Sequence, residues 1–542
     1  MKSSTRSLTE GPLAKQILLV SLPLALSNLL QVLFNMSDVA VVGRFAGSTA
    51  LGAVGSTSIF VTLFTGFLIG LGNGINVLVA RFYGARHPND VHDTVHSALI
   101  VSLIAGVILL VVGLLGSPAM LRLLNTKEDL LPGAILYLRV YFLGMPALAL
   151  YNFGNAVFSA IGETKKPLYI LSFAGVLNIL LNLFFVIVCN LDVAGVALAT
   201  IISQTVSACM VTRMLMKEEG ALHLDLHHLG FHMGALKQIL LIGVPITLSN
   251  SAMSIINIID TKIVMGRLQN GLGLSETAAA VLNGQYRIAM NMPNMVASFV
   301  YPVTMSLIPF AAAALARKDH AEADRIISSA FRLIAILALP AGVGLSVLST
   351  PIERLMLPMQ PEDALAAGPH LQILGIALIF ICLMILTNAI LQTYGKEKLP
   401  IFTVIAGGVV KVVMNYILVG NPDISIHGAP ISTLCCYLTI CGLNLFFVWK
   451  CSPEKPRYTR LFGKPIVASA VMGAAVWAVY GLVARVLSGH SAYGANALAT
   501  FCGILAGVVV YGVLVITLRI LQAEDVKALP KGEKIAKLLR LK

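Results

Sequence analysis

The sequence predicts an all-α polytopic membrane protein: two parallel six-helix repeats and two extra C-terminal helices, about 14 spans. Composition is the first reason. Of 542 residues, 57% are apolar and 12% are charged, and the mean hydropathy is +0.86, far outside the soluble globular range. The second reason is that apolar runs of about 20 residues, enough to cross a bilayer, recur from one end to the other. The third is duplication. Lys15-Gln-Ile-Leu-Leu-Val-Ser-Leu-Pro23-Leu-Ala-Leu-Ser-Asn28 returns 222 residues later as Lys237-Gln-Ile-Leu-Leu-Ile-Gly-Val-Pro245-Ile-Thr-Leu-Ser-Asn250, with nine of fourteen positions identical.

In the first half, residues 1–216, spans are expected near 17–42, 54–79, 94–116, 132–157, 168–189 and 193–215. The first follows a short polar lead, is too long for a signal-peptide core and has no small-residue cleavage pattern after it, so it should remain as a helix. The second carries Gly66-Phe-Leu-Ile-Gly70-Leu-Gly72-Asn-Gly74, where missing side chains let helices approach closely or bend. Gly144-Met-Pro146 should kink the fourth, because proline lacks the amide hydrogen that would continue the ladder.

A linker, 217–235, carries His223, His227, His228 and His232. His223 and His227 are four apart, a spacing that suits a metal on a helix, yet no third ligand is placed and no metal site is expected. The linker reads better as amphipathic, with Leu222, Leu224, Leu226 and Leu229 against lipid headgroups.

The second half, 236–450, has spans near 239–265, 278–312, 329–350, 368–393, 400–419 and 428–449. The 222-residue offset carries Asn35 onto Asn257 and Asp38 onto Asp260. A second register supports the repeat: Gly162-Glu-Thr-Lys-Lys-Pro167 matches Gly395-Lys-Glu-Lys-Leu-Pro400 at an offset of 233, which also maps Asn155 to Asn388, Asn182 to Asn415 and Gly195 to Gly428. Six spans per half is an even number, so the repeats share one orientation. A basic loop, 451–464, two spans within 465–521 near 465–487 and 493–520, and a basic tail, 522–542, have no counterpart in the first half.

The net charge of +13 is topological rather than a sign of nucleic acid. Lysines and arginines gather on alternate loops: Arg81 and Arg86, Lys165 and Lys166, Arg317 and Lys318, Lys396 and Lys398, and the run from Lys450 to Lys464. Far fewer lie on the other side, at Arg44, Arg122, Lys127, Arg139, Arg267, Arg354 and Arg485. The positive-inside rule then puts both termini in the cytoplasm of a cell (plasma or inner) membrane, with anionic lipids as contacts. Eight cysteines lie in or beside spans and read as reduced packing residues. Walker loops, nucleophile elbows and His-Glu-x-x-His motifs are missing, so ATP hydrolysis and covalent catalysis have no support and an enzyme is not expected.

Within a bilayer, ionisable side chains must be paired, hydrated or functional. In the first half the polar set is Asp38 at the outer end of the first span, Asn178 and Asn182 on one face of the fifth, and Thr200 with Gln204 on the sixth. A carboxylate facing amides and a hydroxyl can hold a proton or a hard cation. The second half carries cations instead: Lys262 two residues after Asp260, Arg287, and Lys411 where an asparagine corresponding to Asn178 is expected, with Asn415 beyond it. Those cations either pair internally, as Asp260 with Arg287 or Lys411, or face a water-filled cavity and receive an anionic substrate.

Residues from Leu8-Thr-Glu-Gly-Pro12 through Asp38-Val-Ala-Val-Val-Gly43-Arg44, with Gly52-Ala-Val-Gly55, Ala160-Ile-Gly162-Glu163-Thr164, Pro167 and the Asn178/Asn182 face, resemble MATE multidrug and toxin extrusion transporters. Those from Gly243-Val-Pro245 through Ile259-Asp260-Thr261, with Gly284-Gln-Tyr-Arg287, Leu307-Ile-Pro309 and the extra C-terminal spans, resemble polysaccharide-export proteins, nearest the stage V sporulation protein B group and the lipid II flippases. Both families belong to the multidrug/oligosaccharidyl-lipid/polysaccharide exporter superfamily. The first resemblance implies two lobes around a central cavity and ion-coupled (proton or sodium) export of amphipathic or cationic compounds by a monomer without a bound cofactor. It also implies that Asp38, Asn178, Asn182 and Thr200 form the cation site, although Asn182 is an amide where some members carry an acid. The second resemblance implies flipping of lipid-linked saccharide or peptidoglycan precursors, with Asp260, Lys262, Arg287, Lys411 and Asn415 at the substrate cavity and Arg287 at a basic position there. Flippases also place arginines in their first lobe, and this chain has none there at comparable depth.

Overall fold

The computed structural model describes residues 47–520 except 124–127, 129, 226–231, 357–360, 454 and 488–490, together with Pro23, Leu26, Ser27, Leu30, Asp38, Val41, Val42 and Phe45. Most of the first expected span, His227, His228 and the basic tail lie outside the described residues. Fifteen α-helices and no strand appear among those described. In the first half they are α1 (Gly47–Gly84), α2 (Pro88–Leu123), α3 (Leu131–Leu143), α4 (Met145–Ala160), α5 (Lys165–Leu183) and α6 (Asp192–Met216). Next come α7 (Met233–Gly266), α8 (Glu276–Ala316), α9 (His320–Val347), α10 (Ser349–Met356), α11 (Pro361–Thr393), α12 (Leu399–Leu418) and α13 (Gly428–Cys451). The last two are α14 (Tyr458–Val486) and α15 (Ala492–Thr517). Twelve described helices are long and apolar enough to cross a membrane, and 13 when α3 and α4 count as one broken span.

That break bends the chain by 47° at Gly144, where the Gly-Met-Pro run predicts it. Pro146 has no amide hydrogen to offer and its ring crowds the carbonyl one turn back.

The helices sort their surfaces by what a bilayer demands. On α5, Phe173, Val176 and Leu180 face outward and are more than half exposed, while Ala174, Gly175, Asn178 and Asn182 are buried. α12 repeats that division, with Phe402, Val409 and Tyr416 outward and Gly407, Gly408, Lys411 and Asn415 inward. Apolar side chains cost nothing against lipid, so the polar and small residues turn toward neighbouring helices.

Helix packing forms two compact units. One holds the described residues up to Ile255 with Ile308–Asp319, and the other holds Ile256–Leu307 with the described residues from His320 onward. In the first unit Phe142, Leu138, Met145 and Val196 are fully buried in a core of α1 to α6. There the glycines of α1 let it cross the start of α7: a Cβ at Gly74 would stand 2.4 Å from Gly243 Cα, and one at Gly70 would stand 2.6 Å from Thr247 Cα. In the second unit, a core around Val264, Leu371 and Leu374 is joined by a smaller one in which Leu348 packs on Met472 and Val476 of α14 and Tyr511 of α15.

The linker corrects one expectation. Leu222 and Leu224 are 8% and 1% exposed, packed against protein rather than headgroups, and Asp225 donates its backbone N–H to His96 Nε2 of α2 at 3.1 Å. The short 3-10 turn Gly220–Leu222 packs against α2, which gives these leucines a protein surface to bury against before lipid is reached. Leu226 and Leu229 lie outside the described residues.

Candidate functional site

Three segments of the first unit bring the polar residues together. Asn178 and Asn182, four apart, share the inner face of α5, and Asn182 sits one residue before that helix ends at Leu183 and widens into a π-turn over Phe184–Val188. Wide turns of this kind recur at functional sites because they shift side chains out of α register. α6 supplies Thr200, and Asp38 comes from the first apolar segment.

Asn182 is fully buried and its Nδ2 donates to Asp38 Oδ1. The same NH₂ group donates to Asn178 Oδ1 at 3.2 Å, and Asn178 Nδ2 donates in turn to Thr200 Oγ1 at 3.4 Å. Thr200 returns its own hydroxyl hydrogen to the Val196 carbonyl at 3.0 Å. The chain of bonds therefore runs from a backbone acceptor to a single carboxylate. Asn182 Oδ1 is buried without a hydrogen-bond partner among the described residues. No Lys, Arg or His lies at ion-pair distance from Asp38 among those residues.

Asp38 faces a cavity of about 400 Å³, also lined by Thr65, Tyr141, Asn152, Asn178 and Gln204. Ala174 and Gly175 on α5 leave this space open because they carry almost no side chain. Sequence reasoning overlooked Thr65 and Tyr141, whose hydroxyls lie 3.5 Å apart in the cavity wall. A tyrosine in a span is a usable signal, since its hydroxyl needs a polar partner wherever the ring is buried.

The second unit repeats this arrangement with one change. Asn415 Nδ2 donates to Asp260 Oδ1, as Asn182 does to Asp38. Lys411 stands at the position of Asn178, with its Nζ 3.1 Å from Asp260 Oδ2 and 3.5 Å from Asn257 Oδ1. Tyr286 and Thr433 share a hydrogen bond of 2.8 Å nearby. Thr433 lies 233 residues after Thr200, so the repeat register alone was enough to find it. Arg287 does not join the Asp260 pair; its guanidinium donates to Thr261 Oγ1 on an exposed face, and Lys262 is exposed as well.

The same register relates buried contacts away from the carboxylates. Asn444 donates to Thr387 Oγ1 at 3.1 Å and to Asn388 Oδ1 at 2.7 Å, and it accepts from Thr403 Oγ1 at 2.8 Å. Residues 233 positions earlier put Val211, Gly154 and Ile170 in place of Asn444, Thr387 and Thr403, and Val211 packs against Gly154. His223 Nδ1 lies 3.0 Å from the Glu218 carbonyl oxygen.

Two family models divide the chain. The MatE model matches residues 23–184, and the lipid II flippase MurJ model matches residues 227–493. The two halves are thus similar to two different transporter families, the first to MatE and the second to the lipid II flippase MurJ. The chain is 33% identical over 199 residues to the probable multidrug resistance protein YpnP of Bacillus subtilis, covering 37% of this chain and 45% of that one. It is 22% identical over 440 residues to the probable multidrug resistance protein NorM of Thermotoga maritima, covering 80% and 91%. The chain spans about half the length of the curated relatives YpnP, YoeA and YabM. A solved MOP superfamily transporter from Pyrococcus furiosus superposes with a TM-score of 0.73 at 20% identity, covering 84% of this chain and 100% of that one. An outward-facing multidrug resistance MATE transporter gives a TM-score of 0.71 at 22% identity, covering 83% and 97%. The all-α, multi-pass membrane architecture is thereby shown.

Proposed function

We propose that this protein is an ion-coupled exporter of amphipathic or cationic organic compounds, working by alternating access. One observation carries the reading: an acid with no cationic partner among the described residues faces a cavity of about 400 Å³ through a network of amides and a hydroxyl. A carboxylate only accepts hydrogen bonds, whereas its protonated form also donates one. Asn182 suits both states, since its amide can present either NH₂ or its unpartnered oxygen to Asp38. A proton or a sodium ion at Asp38 therefore reorganises the bonds to Asn182, Asn178 and Thr200. Such a ligand biases one conformation over another only through that difference in contacts.

The relatives YpnP and NorM, each named a probable multidrug resistance protein, support drug-like organic compounds as substrates. The domain division at 1–216, 217–235 and 236–450, the C-terminal pair of spans and the placement of both termini in the cytoplasm belong to this proposal, as does a monomeric state.

The match of 227–493 to the MurJ model favours a second reading, flipping of lipid-linked saccharide precursors. Lys262 and Arg287 are the cations left to meet a pyrophosphate, because Lys411 is already paired with Asp260. Expression in a drug-sensitive host separates the two. Lower ethidium accumulation that Asp38→Asn reverses supports efflux. Rescue of a flippase-depleted strain that Arg287→Ala abolishes, with ethidium accumulation unchanged, replaces it with the flippase.

A further inference from the structure

The two halves build the same amide–carboxylate pair and then part at one position. Asn182 donates to Asp38 and Asn415 donates to Asp260 with matching atoms, and Asp260 presents its second oxygen to Lys411, which stands where the first half has Asn178. In the first half that place adjoins a cavity. In the second it is filled by an ammonium group, and Lys411 and Asp260 are only 3% and 6% exposed.

We propose that Lys411 is a tethered cation, occupying in the second half the site that the first half leaves to an exchangeable proton or sodium ion. This rests on the reading of Asp38 as the coupling group. The oxygens around Lys411 Nζ, a carboxylate at 3.1 Å and an amide carbonyl at 3.5 Å, are the donor types that a hard monovalent cation takes. The surrounding helices close on the pair. Ile440 packs onto Gly407 and Ile256 onto Gly408, each so near that an added Cβ would stand 2.3 Å or 2.4 Å from it. Their first-half counterparts, Ala174 and Gly175, line the cavity that Asp38 faces. The second half is thus held permanently in its cation-occupied form, and the chain carries one exchangeable cation rather than two.

Lys411→Asn restores the amide found at Asn178 and frees Asp260, Asn415, Asn257 and Thr433 as a set of oxygen donors. The test uses the purified full chain in detergent, counting bound radioactive sodium by scintillation proximity and proton equivalents by unbuffered titration. The expected counts are one exchangeable cation for the native chain, none for Asp38→Asn, two for Lys411→Asn and one for the double variant. A folded Lys411→Asn chain that gains no cation overturns the proposal. If the native chain and Asp38→Asn both bind none while Lys411→Asn gains one, the tethered lysine stands and the Asp38 reading falls. The reverse substitution covers the case in which Lys411→Asn does not fold. Asn178→Lys plants an ammonium beside Asp38 and should reduce the native count from one to none, and undiminished binding by that variant contradicts the proposal.

Discussion

Asp38 and Asp260 occupy equivalent positions in the repeat, yet their neighbours give them different chemistry. Asp260 is balanced by Lys411 at 3.1 Å, whereas Asp38 has only amide partners among the described residues. Asp38→Asn keeps the shape of the side chain and removes its charge. Drug efflux driven by an ion gradient should fall by roughly tenfold or more, because a ligand that no longer discriminates between two states shifts nothing. Transport assays in cells expressing equal amounts of both chains check this. A second acid lies apart from the spans. Glu353 on α10 is fully buried, both its oxygens lack hydrogen-bond partners among the described residues, and burial raises its pKa from 4.5 to about 7. A raised acid contributes its stability below its unfolded pKa and loses it as pH climbs through the folded value. The native chain should therefore lose stability between about pH 4.5 and 7, relative to Glu353→Gln, by on the order of 2 to 3 kcal/mol. Melting of the two proteins in detergent across that range should diverge with rising pH, and parallel curves would count against an ionisable, unpaired Glu353.

At the scale of elements, helix approach is set by small residues. The crossing of α1 with the start of α7 leaves no room at Gly74, where a Cβ would lie 2.4 Å from Gly243 Cα. Gly74→Val should destabilise the chain by about 1–3 kcal/mol through overpacking, read as a lower melting temperature in detergent. Gly66→Ala is the matched control, since a Cβ there meets nothing within 4 Å. The Gly-rich run of α1 was visible in the sequence, but its partner on α7 was not, because composition gives no register between distant helices. The bend at Gly144 was legible for a local reason, as proline breaks a ladder whatever surrounds it. The linker leucines were misjudged for the converse reason: amphipathic spacing shows which face is apolar and not whether protein or lipid covers it.

For the whole molecule, the repeat carried most of what was readable. Thirteen of the expected spans correspond to described helices when α3 and α4 count as one, and the first lies largely outside the described residues. The offsets of 222 and 233 carried Asp38 onto Asp260 and Asn182 onto Asn415, and the structure then pairs each acid with the amide of its own half. Two features were not readable. Which of Arg287 and Lys411 pairs with Asp260 depends on helix rotation, and the cavity at Asp38 depends on how far apart helices stand. A chain matched by MatE in its first half and by MurJ in its second pairs Asp260 with Lys411 in the second, while Asp38 in the first has no cationic partner among the described residues. Coupling through the first half alone is the central claim. Its most direct test is ethidium transport in liposomes reconstituted with the native chain or Asp38→Asn, under an imposed proton gradient and then a sodium gradient. The native protein should transport in response to one of these gradients and Asp38→Asn to neither; equal gradient-driven transport by the two proteins would contradict the account.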